Sequence, residues 1–232
     1  MLSVAHANEE FLLLHERAIW WERLRAVVVA DLHLGKGDAF RAGGVPVPDG
    51  ATHADLARLS AVVERFDAEC LFILGDLFHA RSGNTRATLG ALSDWRRRHP
   101  HLHVSLVRGN HDLRAGDPPA SLGIELLDAP ARVDPDAPAP GVLLAHEPPE
   151  PGASDAAGFT LCGHLHPAVS LSHASGLGGL RAPCFWFSPA RAVLPAFGSF
   201  TGSAAIRPTR RDRVFAVGPD CVAEVRPAFA IA

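Results

Sequence analysis

The chain has 232 residues, of which 47% are hydrophobic and 20% are charged. This composition excludes a largely disordered chain, and the length is sufficient for one large domain with a substantial core, which we predict for residues 1–232. The formal net charge is −3, which excludes a strong overall positive field, so any binding of nucleic acid needs a local patch.

The cysteines and the apolar runs bear on the compartment. The four cysteines, Cys70, Cys162, Cys184 and Cys221, show no CxxC spacing, and no signal-peptide pattern precedes them. No stretch approaches the roughly 18 apolar residues that a membrane-spanning helix needs. We therefore expect a cytoplasmic protein with reduced thiols and no membrane contact.

In the first half of the chain, predicted strands alternate with predicted helices. Apolar runs predict strands at Val27–Ala30, Leu71–Leu74 and Val104–Val107, and helical periodicity predicts helices at Ala51–Phe66 and Thr85–Arg98. Because the strands are almost entirely apolar, this order favours a sheet covered by helices on both faces.

The second half is predicted to be mostly β, in a second sheet packed on the first. Gly218-Pro219-Asp220 separates the last two predicted strands and indicates a hairpin. Two stretches rich in Pro, Asp and Ala, Pro130–Pro140 and Pro148–Gly158, are expected to be surface loops. The predicted strands are Ile124–Leu127, Val142–Ala145, Phe159–Cys162, Ala168–Leu171, Cys184–Phe187, Val193–Phe197, Val214–Val217 and Cys221–Val225.

Three histidines alternate just ahead of the predicted third strand. His99, His101 and His103 could suggest a metal cluster. We interpret them instead as a solvated helix end, with Arg96 to Arg98 placing favourable charges at the C-terminus of that helix.

Five short polar clusters each follow directly on an apolar strand. In an open α/β sheet, ligands bind at the carboxyl ends of the strands, where loops turn side chains toward a common centre. We therefore expect these clusters to form one site. They are Asp31-Leu32-His33, Gly75-Asp76, Gly109-Asn110-His111-Asp112, His146 and Gly163-His164-Leu165-His166.

The residue types in these clusters indicate a metal site. Oxygen ligands from Asp and Asn, together with neutral imidazoles, suit borderline divalent ions such as Mn²⁺, Fe²⁺ or Zn²⁺. Alternate residues of an extended chain point the same way, so both side chains of Asp31-x-His33 reach one ion, as do those of His164-x-His166. Seven candidates are too many for one tetrahedral ion and fit two ions that share a bridging carboxylate. The candidates are Asp31, His33, Asp76, Asn110, His146, His164 and His166.

In this order, the motifs DxH, GD, GNH[DE], a lone His and GHxH resemble those of the calcineurin-like metallophosphoesterases. The resemblance implies an αββα sandwich, in which two packed mixed sheets are flanked by helices, and two divalent ions, with Mn²⁺ preferred and Fe²⁺ or Zn²⁺ as alternatives. It implies that the first metal is held by Asp31, His33, Asp76 and His166. It implies that the second is held by Asp76, Asn110, His146 and His164, so that Asp76 bridges the two metals.

The second motif departs from the usual pattern of this family. Many members read GDxxD where this chain has Gly75-Asp76-Leu77-Phe78-His79, which leaves the role of His79 open.

A narrower resemblance extends over almost the whole chain. The runs Asp31–Lys36, Gly75–Arg81, His146–Pro149 and Leu194–Gly202, with Ile19-Trp20-Trp21, are similar to the bacterial ligase-associated DNA-damage-response endonucleases of the PdeM type. This likeness implies hydrolysis of DNA phosphodiesters by in-line attack of a metal-bridging hydroxide. It also implies DNA-repair partners such as a ligase or helicase.

Further residues near the motifs are candidates for catalysis or substrate binding. The family resemblance assigns His111 to protonating or stabilising the leaving oxygen. Asp112 is expected to orient the His111 imidazole through its other ring nitrogen, or else to cap a turn. The candidates for contacting substrate phosphates are Lys36, Arg41, His79, Arg81 and Arg114.

Two other functions are compatible with the same motifs. One is a phosphatase or phosphodiesterase that acts on small nucleotides or phosphoproteins with the same metal chemistry. The other is a non-catalytic scaffold that keeps the fold and binds a partner protein. The intact ligand set and His111 count against the scaffold, because a scaffold has no chemical reason to keep them.

Overall fold

The computed structural model describes residues 1–134, 141–149, 158–172 and 179–226. A seven-stranded sheet, in the order β1-β2-β3-β4-β5-β6-β7, contains most of the first half of the chain. Its strands are β1 Leu2–His6, β2 Glu9–Leu13, β3 Ile19–Trp21, β4 Ala26–Val29, β5 Cys70–Leu74, β6 His103–Val107 and β7 Ile124–Leu127. Neighbouring strands are antiparallel from β1 to β4 and parallel from β4 to β7.

Four α-helices occur in the described residues, and all of them precede β7 in the chain. They are α1 Lys36–Ala42, α2 Ala51–Arg65, α3 Arg86–Arg98 and α4 Asp112–Ala115. Thr85 begins α3 as its N-cap, where its hydroxyl accepts a hydrogen bond from the Thr88 amide at 3.1 Å. Short 3₁₀ turns lie at Glu22–Leu24, Arg81–Gly83 and Ala120–Leu122.

The second sheet is built from the remaining strands and is also mixed. Along its main path the order is β14-β11-β12-β13-β10-β9-β8, and β15 and β16 add a hairpin onto β12. The strands are β8 Ala131–Arg132, β9 Val142–Leu144, β10 Phe159–Cys162, β11 Pro167–Ser172, β12 Gly179–Phe187, β13 Arg191–Val193, β14 Ala204–Ala205, β15 Arg213–Val217 and β16 Val222–Val225.

Alternation along β4 shows how the core is divided. Val27 and Val29 face α2 and α3, whereas Val28 and the following Ala30 face the second sheet. The two sheets therefore share one core, which confirms the predicted α/β fold of two packed mixed sheets. The prediction that helices cover both faces of the first sheet is wrong, since its other face buries apolar side chains against the second sheet.

The predicted strands and helices of the first half are confirmed to within one residue, but other segments differ. The hairpin β1–β2, the strand β3 and the helix α1 were not predicted, and β8 lies inside the predicted loop Pro130–Pro140. The predicted strand Val193–Phe197 is wrong beyond its first residue, because β13 ends at Val193 and the Phe197 amide donates a hydrogen bond to the Ala30 carbonyl at 2.7 Å. Most of the predicted loops Pro130–Pro140 and Pro148–Gly158 lies outside the described residues.

The cysteines and the helices were the subject of two further expectations. All four cysteines are free, and Cys162 and Cys184 are buried in strands of the second sheet. Within the described ranges, none of the helices has both the length and the apolar character needed to cross a membrane.

The buried His99 is predicted to make the stability of the fold depend on pH. It is not a solvated helix end as expected, since its Nε2 lies 2.8 Å from the Ser60 hydroxyl in the core, while His101 and His103 are exposed. Burial lowers the pKa of His99, although the nearby Glu64 opposes this. The folded state therefore favours neutral His99, so its stabilisation is complete above the unfolded pKa of about 6.5 and is lost as the pH falls below it.

The measurement is the free energy of unfolding in denaturant for the wild type and His99→Gln at pH 7.5 and pH 5.0. The stability difference between the two proteins should shrink at pH 5.0. His101→Gln, at an exposed histidine on the same turn, serves as the control and should show no such change. An equal difference at both pH values would contradict the prediction.

Candidate metal centre

The structure brings all seven predicted metal ligands together at the carboxyl ends of the central strands. On one side, the Nε2 atoms of His33 and His166 lie 3.2 Å apart, and His166 Nε2 lies 3.5 Å from the Asp31 carboxylate. Asp76 lies between the two sides. Its carboxylate is 3.7 Å from His33 Nε2 and 3.5 Å from His146 Nε2.

The second side of the cluster surrounds His146. Its Nε2 lies 3.0 Å from Asn110 Oδ1 and 3.0 Å from His164 Nδ1. Ligand atoms that share one ion through bonds of about 2.1 Å are roughly 3.0–3.4 Å apart. The spacing of these donor atoms therefore fits two adjacent ions, with Asp76 between them.

Backbone carbonyls orient two of the histidines. His146 Nδ1 lies 3.0 Å from the Leu74 carbonyl, and His166 Nδ1 lies 3.1 Å from the Gly202 carbonyl. Because a carbonyl only accepts hydrogen bonds, each Nδ1 is the donor and each Nε2 lone pair points into the cluster. A second hydrogen bond of this kind is typical of metal-binding histidines.

Five of the seven predicted ligands have a left-handed backbone conformation, which residues other than glycine rarely adopt. Their φ angles are positive and lie between 46° and 70°. Such conformations cost about 1–3 kcal/mol each and persist where the surrounding structure imposes them. They allow side chains at the strand ends to turn inward. The five residues are Asp31, His33, Asp76, His164 and His166.

Two glycines in the motifs are required by close approach. A Cβ at Gly75, where φ is +78°, would lie 2.1 Å from His146 Nδ1. A Cβ at Gly109 would lie 2.2 Å from a carboxylate oxygen of Asp76. Any larger residue would push His146 or Asp76 out of position, which explains the glycine before Asp76 and before Asn110.

Burial keeps the His33 imidazole in the neutral form that binds metal. His33 is 5% exposed, and burial, helped by the charges of surrounding histidines and Lys36, lowers the pKa of His33 to about 2. Burial raises the pKa of Asp76, which is 2% exposed, against the opposing effect of His146. Buried carboxylates beside imidazole nitrogens are suited to divalent cations, whose positive charge balances the carboxylates.

His111 lies beside the cluster, and its orientation differs from the prediction. Its Nδ1 lies 2.6 Å from the backbone carbonyl of His79, so that carbonyl, and not Asp112, fixes the ring. The Asp112 carboxylate instead accepts hydrogen bonds from the amides of Phe78 and Gly109 at 3.1 and 3.0 Å. Asp112 is therefore a buried connection between two motif loops, which corresponds to the alternative expectation of a turn cap.

His79, whose role the sequence leaves open, packs against His33 and His111. Its ring is nearly parallel to that of His111, with centroids 5.0 Å apart, and nearly perpendicular to that of His33 at 5.4 Å. Nitrogens of these three histidines lie within 4.8 Å of one another, so they form a further group that could hold an ion.

The five residues predicted to contact substrate phosphates differ in position. Lys36 is half-buried at the start of α1, and its charge contributes to lowering the pKa of both His33 and His79. Among the described residues, no hydrogen bond or ion pair occupies its ammonium group. His79 therefore lies against the cluster, and the ammonium group of Lys36 is available to an anionic ligand.

The three predicted arginines are not brought into the cluster in the same way. Arg41 is bound to the side chains of Asp38 and Asp49 and to the carbonyls of Val47 and Pro48. Its guanidinium holds the segment after α1 and not the metal centre. Arg81 and Arg114 are exposed, on the turn after His79 and on α4.

The segment after β13 forms a wall of the site that the residue patterns alone did not assign. The Gly198 amide binds the Asp31 carbonyl at 3.1 Å, and Gly202 supplies the carbonyl that orients His166. The Ser199 amide is held in turn by the buried Asp55 carboxylate at 3.0 Å. Beyond Val193, the predicted strand Val193–Phe197 is thus the beginning of a loop along the metal centre.

Comparisons with known proteins indicate the family of the chain. The model of the family described as calcineurin-like phosphoesterase matches residues 24–138. The chain is similar to the solved structure of the Pseudomonas putida nuclease MPE, with 40% identity, a TM-score of 0.78, and coverage of 96% of this chain and 99% of that one. It is also similar to the E. coli phosphoesterase Yfce, with 13% identity, a TM-score of 0.40, and coverage of 86% and 97%. No curated protein matches the chain.

Proposed function

The chain belongs to the calcineurin-like phosphoesterase family and is therefore a metal-dependent phosphoesterase, and from this premise we propose that it is a binuclear phosphodiesterase that hydrolyses DNA. The binuclear centre is supported by the convergence of seven side chains that can bind metal, with Asp76 in the middle of the group. The similarity to a nuclease over nearly the full length of both chains supports nucleic acid as the substrate.

The proposed metal ligands fall into two sets that share Asp76. The first set is Asp31, His33, Asp76 and His166, and the second is Asp76, Asn110, His146 and His164. Because the ligands are oxygens and imidazoles without a thiolate, we propose Mn²⁺ as the native metal, with Fe²⁺ and Zn²⁺ as alternatives. When bound, the ions supply an activated water molecule as nucleophile and neutralise charge on the phosphate oxygens.

The other residues of the site act on the phosphate and on the leaving oxygen. His111 is held by the His79 carbonyl through its Nδ1–H, so in the imidazolium form its Nε2–H is free to donate a proton to the leaving oxygen, and the ring becomes neutral. The Lys36 ammonium is near enough to His33 and His79 to lower the pKa of each, and it attracts the negative phosphate to the same place. Together they fix the diester and protonate the alkoxide that departs.

The proposal extends to the cellular process, the compartment and the protein partners. We propose a role in the DNA-damage response, in the cytoplasm, where the four cysteines stay reduced. The motif likeness to the ligase-associated endonucleases supports a DNA-repair ligase or helicase as a partner.

Salt sensitivity is predicted to distinguish a DNA-cleaving enzyme from one that acts on small diesters. Binding through several backbone phosphates releases counterions, so activity on DNA with Mn²⁺ should fall steeply between 50 and 200 mM salt. Hydrolysis of bis-p-nitrophenyl phosphate should hardly change over the same range. Both rates are measured with one enzyme preparation in the same buffers.

The same assay tests the alternatives. Equal salt dependence on both substrates, or hydrolysis of the small diester without any DNA cleavage, would favour a phosphodiesterase for small nucleotides. A protein that binds two ions and hydrolyses neither substrate would support the non-catalytic scaffold.

A further inference from the structure

Two exposed phenylalanines lie beside the metal centre. Phe40 is 37% exposed and Phe200 is 40% exposed, and in the part of the chain that the structure describes no other phenylalanine or tryptophan is exposed. Their ring centroids are 5.7 Å apart and the ring planes are 77° apart, so the two rings form a corner. We call this pair the aromatic corner.

The aromatic corner is connected to the metal centre through His79. The Phe40 ring is nearly parallel to the His79 ring, with centroids 6.1 Å apart and an interplanar angle of 14°. His79 in turn packs against His33 and His111. One ring therefore separates the exposed Phe40 from a proposed metal ligand.

Neither phenylalanine is needed to close the hydrophobic core. Phe40 belongs to α1 and Phe200 to the segment after β13, and neither is part of the buried clusters that hold the sheets and helices together. Two aromatic rings from distant parts of the chain thus meet at the surface without a packing role in the fold. Such exposed apolar surface at the rim of a site is typical of a binding contact.

Helix α1 places a cation next to this apolar surface. Lys36 and Phe40 are four residues apart on α1 and therefore lie on the same side of the helix. Phe40 packs on His79, which in turn packs against His33. A positive charge and an aromatic ring are thus presented side by side along the edge of the metal centre.

We propose that the aromatic corner is a nucleobase-binding subsite, in which the base adjacent to the phosphate that is cleaved stacks on the Phe40 ring and contacts the Phe200 ring with its edge. This proposal rests on the proposed function as a nucleic-acid phosphodiesterase. A nucleotide carries a phosphate and a flat aromatic base within one unit, which matches Lys36 and the corner. Base stacking also needs no particular base, because every base offers a π-face.

Base stacking provides a way to bind nucleic acid that does not need a positive net charge. The net charge of −3 provides no general attraction for nucleic acid, and Arg41 is occupied by Asp38 and Asp49. Apolar contact with the base supplies affinity that does not depend on charge. A protein partner is disfavoured as the occupant, because a stable interface buries about 800 Å² on each side and two half-exposed rings offer far less.

The test combines a change in the protein with a change in the substrate. Phe40→Ala and Phe200→Ala are assayed with Mn²⁺ on a short single-stranded oligonucleotide and on the same backbone with abasic units in place of every nucleotide. Stacking on one base is worth enough to lower kcat/KM by about 5- to 150-fold when it is lost. The wild type should show this loss on the abasic chain, and Phe40→Ala should show it on the normal oligonucleotide.

The decisive result is that the loss of activity caused by removing the bases and the loss caused by Phe40→Ala are not additive. Phe40→Ala should cleave the abasic chain about as well as the wild type does, because the contact has already been removed from the substrate. Phe40→Trp should restore cleavage of the normal oligonucleotide.

The matched control is Leu180→Ala, at an exposed apolar residue paired with Leu171. It should behave as the wild type on both chains. Leu171 lies five residues beyond His166 along β11, which is roughly 16 Å.

The outcomes separate this proposal from the proposed function. If the wild type cleaves both chains equally well, or if the losses add, the nuclease stands and the nucleobase subsite is refuted. If the wild type cleaves neither chain but hydrolyses bis-p-nitrophenyl phosphate, the DNA substrate and the subsite fail together.

Discussion

Replacing Asp76 by asparagine is expected to abolish phosphodiester hydrolysis and to remove more metal than the loss of any other single ligand. Asp76 lies 3.7 Å from His33 Nε2 and 3.5 Å from His146 Nε2, and therefore faces both proposed ions. A neutral amide cannot supply the negative charge that two adjacent cations require. Because metal ions contribute several kcal/mol to such a reaction, the rate should fall by about 10³-fold or more.

The measurement is the metal content of the purified variants by mass spectrometry after incubation with Mn²⁺, together with their activity on bis-p-nitrophenyl phosphate. His33→Ala is the matched comparison, because His33 faces one proposed ion, and it should retain more metal than Asp76→Asn. The asparagine can still accept the hydrogen bond from the His111 amide, which is 2.9 Å in the wild type, so the fold should be kept. A folded Asp76→Asn protein with two ions bound would refute the bridging role.

The position of the site could be predicted because its residues share two simple properties. Each polar cluster follows an apolar strand, and the carboxyl ends of parallel strands meet at one edge of a sheet. Asp31, Asp76 and Asn110 follow β4, β5 and β6, which are neighbouring parallel strands. Alternation and residue type are local properties of the sequence, so they are readable without a structure.

The orientation of side chains within the site could not be predicted in the same way. The ring of His111 is held by a backbone carbonyl of His79 and not by Asp112. A carbonyl is present at every residue and leaves no signal in the sequence. The Leu74 and Gly202 carbonyls, which orient His146 and His166, were missed for the same reason.

Short elements and distant contacts were missed for a different reason. The helix α1 has seven residues, which is too few for its periodicity to stand out. Phe40 and Phe200 meet only because α1 and the segment after β13 both pass the metal centre. That contact depends on tertiary structure, and neither residue has a local pattern that predicts it.

The strained backbone of the proposed ligands links stability to function. Five of these residues have positive φ angles, and each such residue costs about 1–3 kcal/mol. The shared core between the two sheets has to offset this cost, since hydrophobic burial is the main stabilising contribution in the fold. Metal binding adds stability to the folded state by mass action, so the metal-loaded protein should be more stable than the metal-free one.

Replacing His111 by alanine is expected to slow catalysis while leaving both ions in place. Its Nδ1 is bound to the His79 carbonyl at 2.6 Å, so Nε2 is the nitrogen available for the leaving oxygen. A positioned acid contributes about 10²- to 10⁴-fold, and the loss should appear in kcat. His101→Ala, at an exposed histidine outside the site, is the matched control and should keep full activity.

The dependence on the leaving group separates proton donation by His111 from metal binding by the same residue. An alkoxide leaving from DNA needs a proton, so DNA cleavage should lose the most, whereas p-nitrophenolate leaves readily without one and should lose less. Metal binding by His111 is geometrically possible, because nitrogens of His33, His79 and His111 lie within 4.8 Å of one another and could share an ion. If His111 were a ligand, His111→Ala would lose metal and would slow the reaction equally for both leaving groups. Metal content and the two rates, measured on one preparation, therefore decide whether His111 donates a proton or holds an ion.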